Sequence, residues 1–112
     1  MVSVEPALKA AFSQVISTRE VFTGLVLSNP GSLIAEIKVG LYSVGGSLAG
    51  LVTLRLEAGR SVFRLVRELF PTAGDQVGGS IQLESDRPIT AYQSFGSFHL
   101  DFLSAVKPTV IN

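Results

Sequence analysis

His99 and Asp101 stand two apart in a stretch that alternates apolar and polar residues, so both fall on one face of a strand. Such a pair can orient a proton or share a metal ion. One imidazole and one carboxylate are too few ligands without a third, and the pair reads as two exposed residues on an outer sheet face. Ser104-Ala-Val-Lys107 has the spacing of serine acyl enzymes. That spacing works on a helix, where serine and lysine sit one turn apart. Here a strand-like Pro108-Thr-Val-Ile follows, and the match is taken as chance. Gly45-Gly46-Ser-Leu-Ala-Gly50 carries the glycines of a phosphate loop without its Lys-Ser/Thr, and a hairpin turn accounts for it.

Arg55, Arg60, Arg64 and Arg67 gather in a short stretch, diluted by Glu57 and Glu68. We read them as a solvated face; no aromatic strand motif of RNA recognition accompanies them. Glu36, Glu57, Asp75, Glu84 and Asp86 are dispersed, with no close carboxylate pair for glycoside hydrolysis and no D-x-D-x-D loop for calcium. Tyr42 and Tyr92 fall on outward faces by the alternation around them. Exposed aromatic rings on a sheet can stack on pyranose rings. The structural alternative is a tyrosine capping a sheet edge, since aromatics are ordinary strand residues. These two tyrosines are the candidate ligand-stacking residues; no catalytic, metal or cofactor-binding residue is assigned, and no cofactor is expected.

Composition agrees with that short inventory. The chain has 112 residues, nine Lys+Arg against nine Asp+Glu, 46% apolar and 16% charged residues, one His, no Cys and no Trp. The length holds one domain, residues 1–112. The charged share is well below the usual ~25% and the apolar share is that of a folded chain. Without cysteine there is no disulfide framework, thiolate zinc site or cysteine nucleophile. A formal charge of zero argues against general binding to nucleic-acid phosphates. It also lowers the colloidal barrier to self-association. No apolar run approaches the ~18 residues that cross a bilayer as a helix. Met1-Val-Ser-Val-Glu-Pro6 lacks the basic opening and apolar core of a signal peptide.

The elements that must position these residues are strands. Ala35, Ile37, Val39 and Leu41 share one face with Leu33, and Glu36 and Lys38 take the other. Val52, Leu54 and Leu56 point in, while Thr53, Arg55 and Glu57 point out. Gly45-Gly46 between them supplies the positive φ of a tight turn, so residues 33–57 read as one hairpin. Val21–Ser28 reads as a strand stopped by Asn29-Pro30-Gly31. Ala10–Ile16 is a strand closed by Ser17-Thr18-Arg19, and Val2–Glu5 a short edge strand. Ser61–Phe70 begins as a strand and ends in one helical turn through Glu68-Leu69-Phe70. Ser80–Glu84 is a strand, Ser85–Pro88 a turn, and Ile89–Phe95 the next strand, followed by a turn at Gly96-Ser97. Phe98–Phe102 is a further strand, and Val106–Ile111 a last one that Pro108 marks as an edge. Seven to nine short strands with regular turns predict an all-β antiparallel sandwich with one short helical turn near residues 65–70.

Phe22-Thr23-Gly24-Leu25-Val26-Leu27-Ser28-Asn29-Pro30, then Glu68-Leu69-Phe70-Pro71, then Gly79 to Ala91 with its Ser85-Asp86-Arg87-Pro88, then Phe102-Leu103-Ser104-Ala105, occur in an order that resembles Ig-like β-sandwich modules of secreted or surface bacterial proteins. The resemblance covers roughly residues 10–106. It implies an Ig-like sandwich without established chemistry of its own, often set beside other domains. The expected function is therefore a non-catalytic structural or interaction module for spacing, adhesion or docking, in an exported bacterial protein. The alternatives are a carbohydrate-binding module using Tyr42 or Tyr92, or a small self-assembling protein. Protein partners, self-association or carbohydrate are expected, and nucleic acid and membrane insertion are not. The expected location is secreted or at the cell surface as part of a larger protein, or cytoplasmic if Met1 is the native start.

Overall fold

The computed structural model describes residues 7–18, 21–97, 103–106 and 109–110. Among these, eight strands and one helical turn follow in order: β1 (Ala7–Ser17), β2 (Val21–Ser28), β3 (Ala35–Tyr42), β4 (Leu48–Leu56), β5 (Ser61–Leu65), α1 (Val66–Leu69), β6 (Gln76–Ser97), β7 (Leu103–Val106) and β8 (Thr109–Val110). Every pairing is antiparallel. The all-β expectation holds. The expected Val2–Glu5 and Phe98–Phe102 strands, with His99 and Asp101, lie outside the described residues.

The sheet is organised by β6. Its first half pairs with β1 on one side and β3 on the other, with β4 beyond β3 and β8 beyond β1. Its second half pairs with β2 and β7, with β5 beyond β2. One sheet thus curls upon itself into a half-barrel whose two layers share a strand.

The turn expected at Ser85–Pro88 is therefore a correction: the chain bends there without reversing. Pairing to β3 ends at Ile37↔Ser85 and pairing to β2 begins at Ser28↔Thr90. Pro88 has no N–H to donate, and the Arg87 N–H donates to Ser85 Oγ at 3.2 Å instead of to a ladder. Lost ladder bonds free a strand to bend, and turn-forming residues supply a corner as readily as a reversal. The turn expected at Gly96-Ser97 is corrected too. Both residues belong to β6, where Gly96 pairs with Phe22 and Leu103. The last expected strand divides, with Val106 in β7 against β6 and Thr109–Val110 in β8 against β1.

The hairpin and the mixed strand-helix segment form as expected. Ala35, Ile37, Val39 and Leu41 point inward and are fully buried, while Leu33 precedes the strand and is exposed. Gly46 holds φ +89°, and its N–H donates to the Ser43 carbonyl to close the turn. Leu65 N–H donates to Glu68 Oε1 at 2.9 Å, which satisfies one of the free donors at the start of α1. The turn delivers Phe70 into the core over β4, where a Cβ on Gly50 would stand 2.5 Å from the Phe70 ring. Burial of each large apolar side chain in this core contributes about 1.5–3 kcal/mol.

Two polar side chains tie the layers together from inside, and a third is buried with little to bond. Thr23 Oγ1 accepts from the Ile16 N–H at 3.0 Å and donates to the Ile16 carbonyl, replacing a strand neighbour where β1 is irregular. Asn29, 1% exposed, donates through Nδ2 to the carbonyls of Leu33 and Leu56 at 2.7 and 2.9 Å and accepts from Gly31 N–H at 3.1 Å. Its backbone exchanges bonds with Gly59 and Arg60, so the β2 end, the β3 approach and the β4–β5 turn meet on one residue. Gln93, fully buried, makes only a long 3.5 Å bond to the Ser13 carbonyl, and its Oε1 has no partner among the described residues.

Candidate functional surfaces

The two tyrosines are brought to different layers. Tyr42 ends β3 and is half-buried on the outer face of the first layer. Its ring reaches over Gly40, where a Cβ would stand 3.2 Å from Tyr42 Cε2. Cross-strand register sets Leu51 and Gln82 on either side of Gly40, and Thr53 and Glu84 on either side of Lys38. Because Gly40 has no side chain, a depression of about 370 Å³ opens between Tyr42, Leu51, Lys38, Gln82 and Glu84, with Lys9 at its margin. An aromatic ring, an amide and charges of both signs border it. That set can stack on an apolar ring face and hydrogen-bond hydroxyls around it.

Tyr92 lies on the outer face of the second layer, 37% exposed. Val26 of β2 pairs with Tyr92 of β6 on one side and with Phe63 of β5 on the other. The three side chains form a cross-strand row, and Phe63 is 46% exposed. Gly24, next on the same face of β2, lies beneath Phe63: a Cβ there would stand 2.5 Å from the ring. The Phe63 ring thus extends the row along the strand. Tyr92 was legible from alternation alone. Phe63 and Val26 join it only through the β2–β5 and β2–β6 registers, and the aromatic-aliphatic composition of both strands is the sequence signal for them.

The remaining sequence candidates stand apart. Ser104 lies in β7, a strand and not a helix, and Lys107 lies outside the described residues. Gly45 and Gly46 form the β3–β4 turn. Asp86 accepts from the Glu36 backbone at 2.8 Å, and Glu36 lies 3.9 Å from Arg55. Among the described residues no group of three or more His, Asp or Glu side chains could hold a metal ion. Among them no helix is long and apolar enough to cross a membrane.

No family model matches this chain, and neither does any curated protein. Two solved structures share its fold. The crystal structure of Thermotoga maritima 1070 superposes with a TM-score of 0.80 over 94% of this chain and 95% of that one, at 16% identity. The Anabaena sensory rhodopsin transducer superposes with a TM-score of 0.60 over 75% of this chain and 85% of that one, at 14% identity. At those identities the likeness defines an all-β architecture: a half-barrel that a second chain reproduces almost end to end.

Proposed function

We propose that this chain is a non-catalytic protein-docking module, and that its contact surface is the outer face of the second layer. The observation that carries the reading is the Phe63–Val26–Tyr92 row, a solvent-facing aromatic and aliphatic strip on a rigid sheet. Aromatic residues are enriched where proteins bind proteins because they bury large area with few rotatable bonds. The strip has no charged residue among the three, so docking costs little desolvation of ions. The finer description as an Ig-like sandwich and the exported bacterial setting belong to the same proposal. The two layers around one core support the first, and the motif resemblance supports both. The test is recovery of partners from source cells with the tagged full chain. Wild type should bring down a discrete protein, or a second copy of itself, that Tyr92→Ser with Val26→Ser loses while circular dichroism is unchanged. Equal recovery by both would sink the proposal.

A second reading is favoured by the depression beside Tyr42. There an aromatic ring, Gln82, Lys38 and Glu84 stand around a space of about 370 Å³, enough for a monosaccharide unit of a polymer. Affinity electrophoresis on polysaccharides tests it. Retardation lost in Tyr42→Ala supports carbohydrate binding, and no retardation on any polymer removes it.

A further inference from the structure

The half-barrel is open along one side. Among the described residues β4 pairs only with β3, and β5 only with β2, so within that set each leaves an edge of backbone N–H and C=O groups without a strand neighbour. A tight turn joins them, closed by the Arg60 N–H donating to the Glu57 carbonyl at 3.1 Å, with Gly59 at φ +73°. Between the edges runs a groove of about 340 Å³. Its floor includes Leu54 and Val62, half-buried and packed against the core. Its rim carries Arg55, Arg60 and Arg64 with Glu57, and Glu36 stands beside Arg55.

Those arginines are weakly engaged. Arg55 lies 3.9 Å from Glu36 and Arg60 lies 3.9 Å from Glu57, both pairs well exposed. Arg64 donates to the Phe63 carbonyl at 2.9 Å, and among the described residues no carboxylate reaches it. Exposed pairs at such distances hold little free energy and exchange readily for better-placed carboxylates. The groove therefore combines free strand edges, an apolar floor and a basic rim. An extended chain meets all three at once: its backbone satisfies an edge, and its side chains alternate between floor and rim.

We propose that the groove between β4 and β5 binds an extended segment of a partner protein in which apolar and acidic residues alternate, added as a strand to a free edge. The groove is lined from the inner side of β5 by Val62 and Arg64 and not by Phe63, Val26 or Tyr92, so the proposal does not depend on the outer face that those three share.

The probe is a fluorescein-labelled seven-residue peptide alternating Glu and Val, titrated into the full chain and read by fluorescence anisotropy. The expected result is saturable binding that weakens at least ten-fold when Lys replaces Glu in the peptide. It should weaken at least ten-fold again with N-methylation of alternate peptide amides, which blocks the ladder. Arg60→Glu with Arg64→Glu, both on exposed positions, should lower affinity at least ten-fold with unchanged circular dichroism, while Val44→Ser, exposed in the β3–β4 turn and away from the groove, leaves it unchanged. Equal binding of the Lys peptide overturns the role of the arginines. Equal binding of the methylated peptide, or of a Glu-only peptide, overturns strand addition and leaves simple ion pairing. No saturable binding of the Glu-Val peptide overturns the whole proposal.

Discussion

The Asp86 carboxylate accepts a hydrogen bond from the Glu36 backbone N–H at 2.8 Å, across fifty residues of sequence. It fastens the bend of β6 to the start of β3. The bond supplies an acceptor at the point where the β3–β6 ladder stops at Ser85. Asp86→Ala should cost about 0.5–1.5 kcal/mol, read as a lower urea midpoint with an unchanged slope. Amide exchange at Glu36 should rise more than at Val39, which keeps its place in the ladder.

Asn29 is the polar knot of the fold. Asn29→Ala removes three side-chain hydrogen bonds at a buried position and strands the carbonyls of Leu33 and Leu56. Each buried group left unpaired costs about 1–3 kcal/mol, so the variant should lose about 2–5 kcal/mol of stability by thermal or urea unfolding. A loss within 0.5 kcal/mol would show that water replaces the amide.

Gly79 and Gly45 make opposite predictions. A Cβ at Gly79 would collide with the Tyr42 carbonyl oxygen, which is backbone and has no flexible end to yield. Gly79→Ala must part β3 from β6 and should destabilise by about 2–4 kcal/mol. At Gly45 the nearest atom to an added Cβ is Ser43 Oγ at 4.0 Å. Gly45→Ala should be neutral or stabilise by up to about 1 kcal/mol, because it restricts the unfolded chain.

Gln93 is a place where stability can be gained. Among the described residues its Oε1 is buried without a partner, and its Nε2 bond is long. Gln93→Met keeps the length and removes the amide, and should raise stability by about 1 kcal/mol in urea unfolding.

Much of this architecture was legible in the sequence because alternation is a local signal. The inward set from Ala35 to Leu41, the Gly45-Gly46 turn and the change from strand to helix before Phe70 all follow from residues within a few positions of one another. The bend in β6 was not legible. Ser85-Asp86-Arg87-Pro88 has the composition of a reversal, and only the partners on either side, β3 before it and β2 after it, make it a corner. The surfaces were half legible for the same reason. Alternation placed Tyr92 outward, but Val26 and Phe63 join it only through register, and the depression beside Tyr42 exists because Gly40 leaves a gap between residues from three strands. The arginines from 55 to 64 read as a solvated face in sequence. The β4 and β5 edges, unpaired among the described residues and bordering a groove, are a property of topology.

The central claim, that the second layer's outer face docks a protein, is tested most directly by photo-crosslinking in source cells. Benzoyl-phenylalanine would replace Tyr92 in the full chain, with the same group at Thr53 on the first layer's outer face as the control. The account predicts a discrete crosslinked adduct from position 92 that Phe63→Ser weakens, and none of the same size from position 53. Irradiation that leaves the position-92 protein uncrosslinked, or gives the same adducts from both positions, would contradict it.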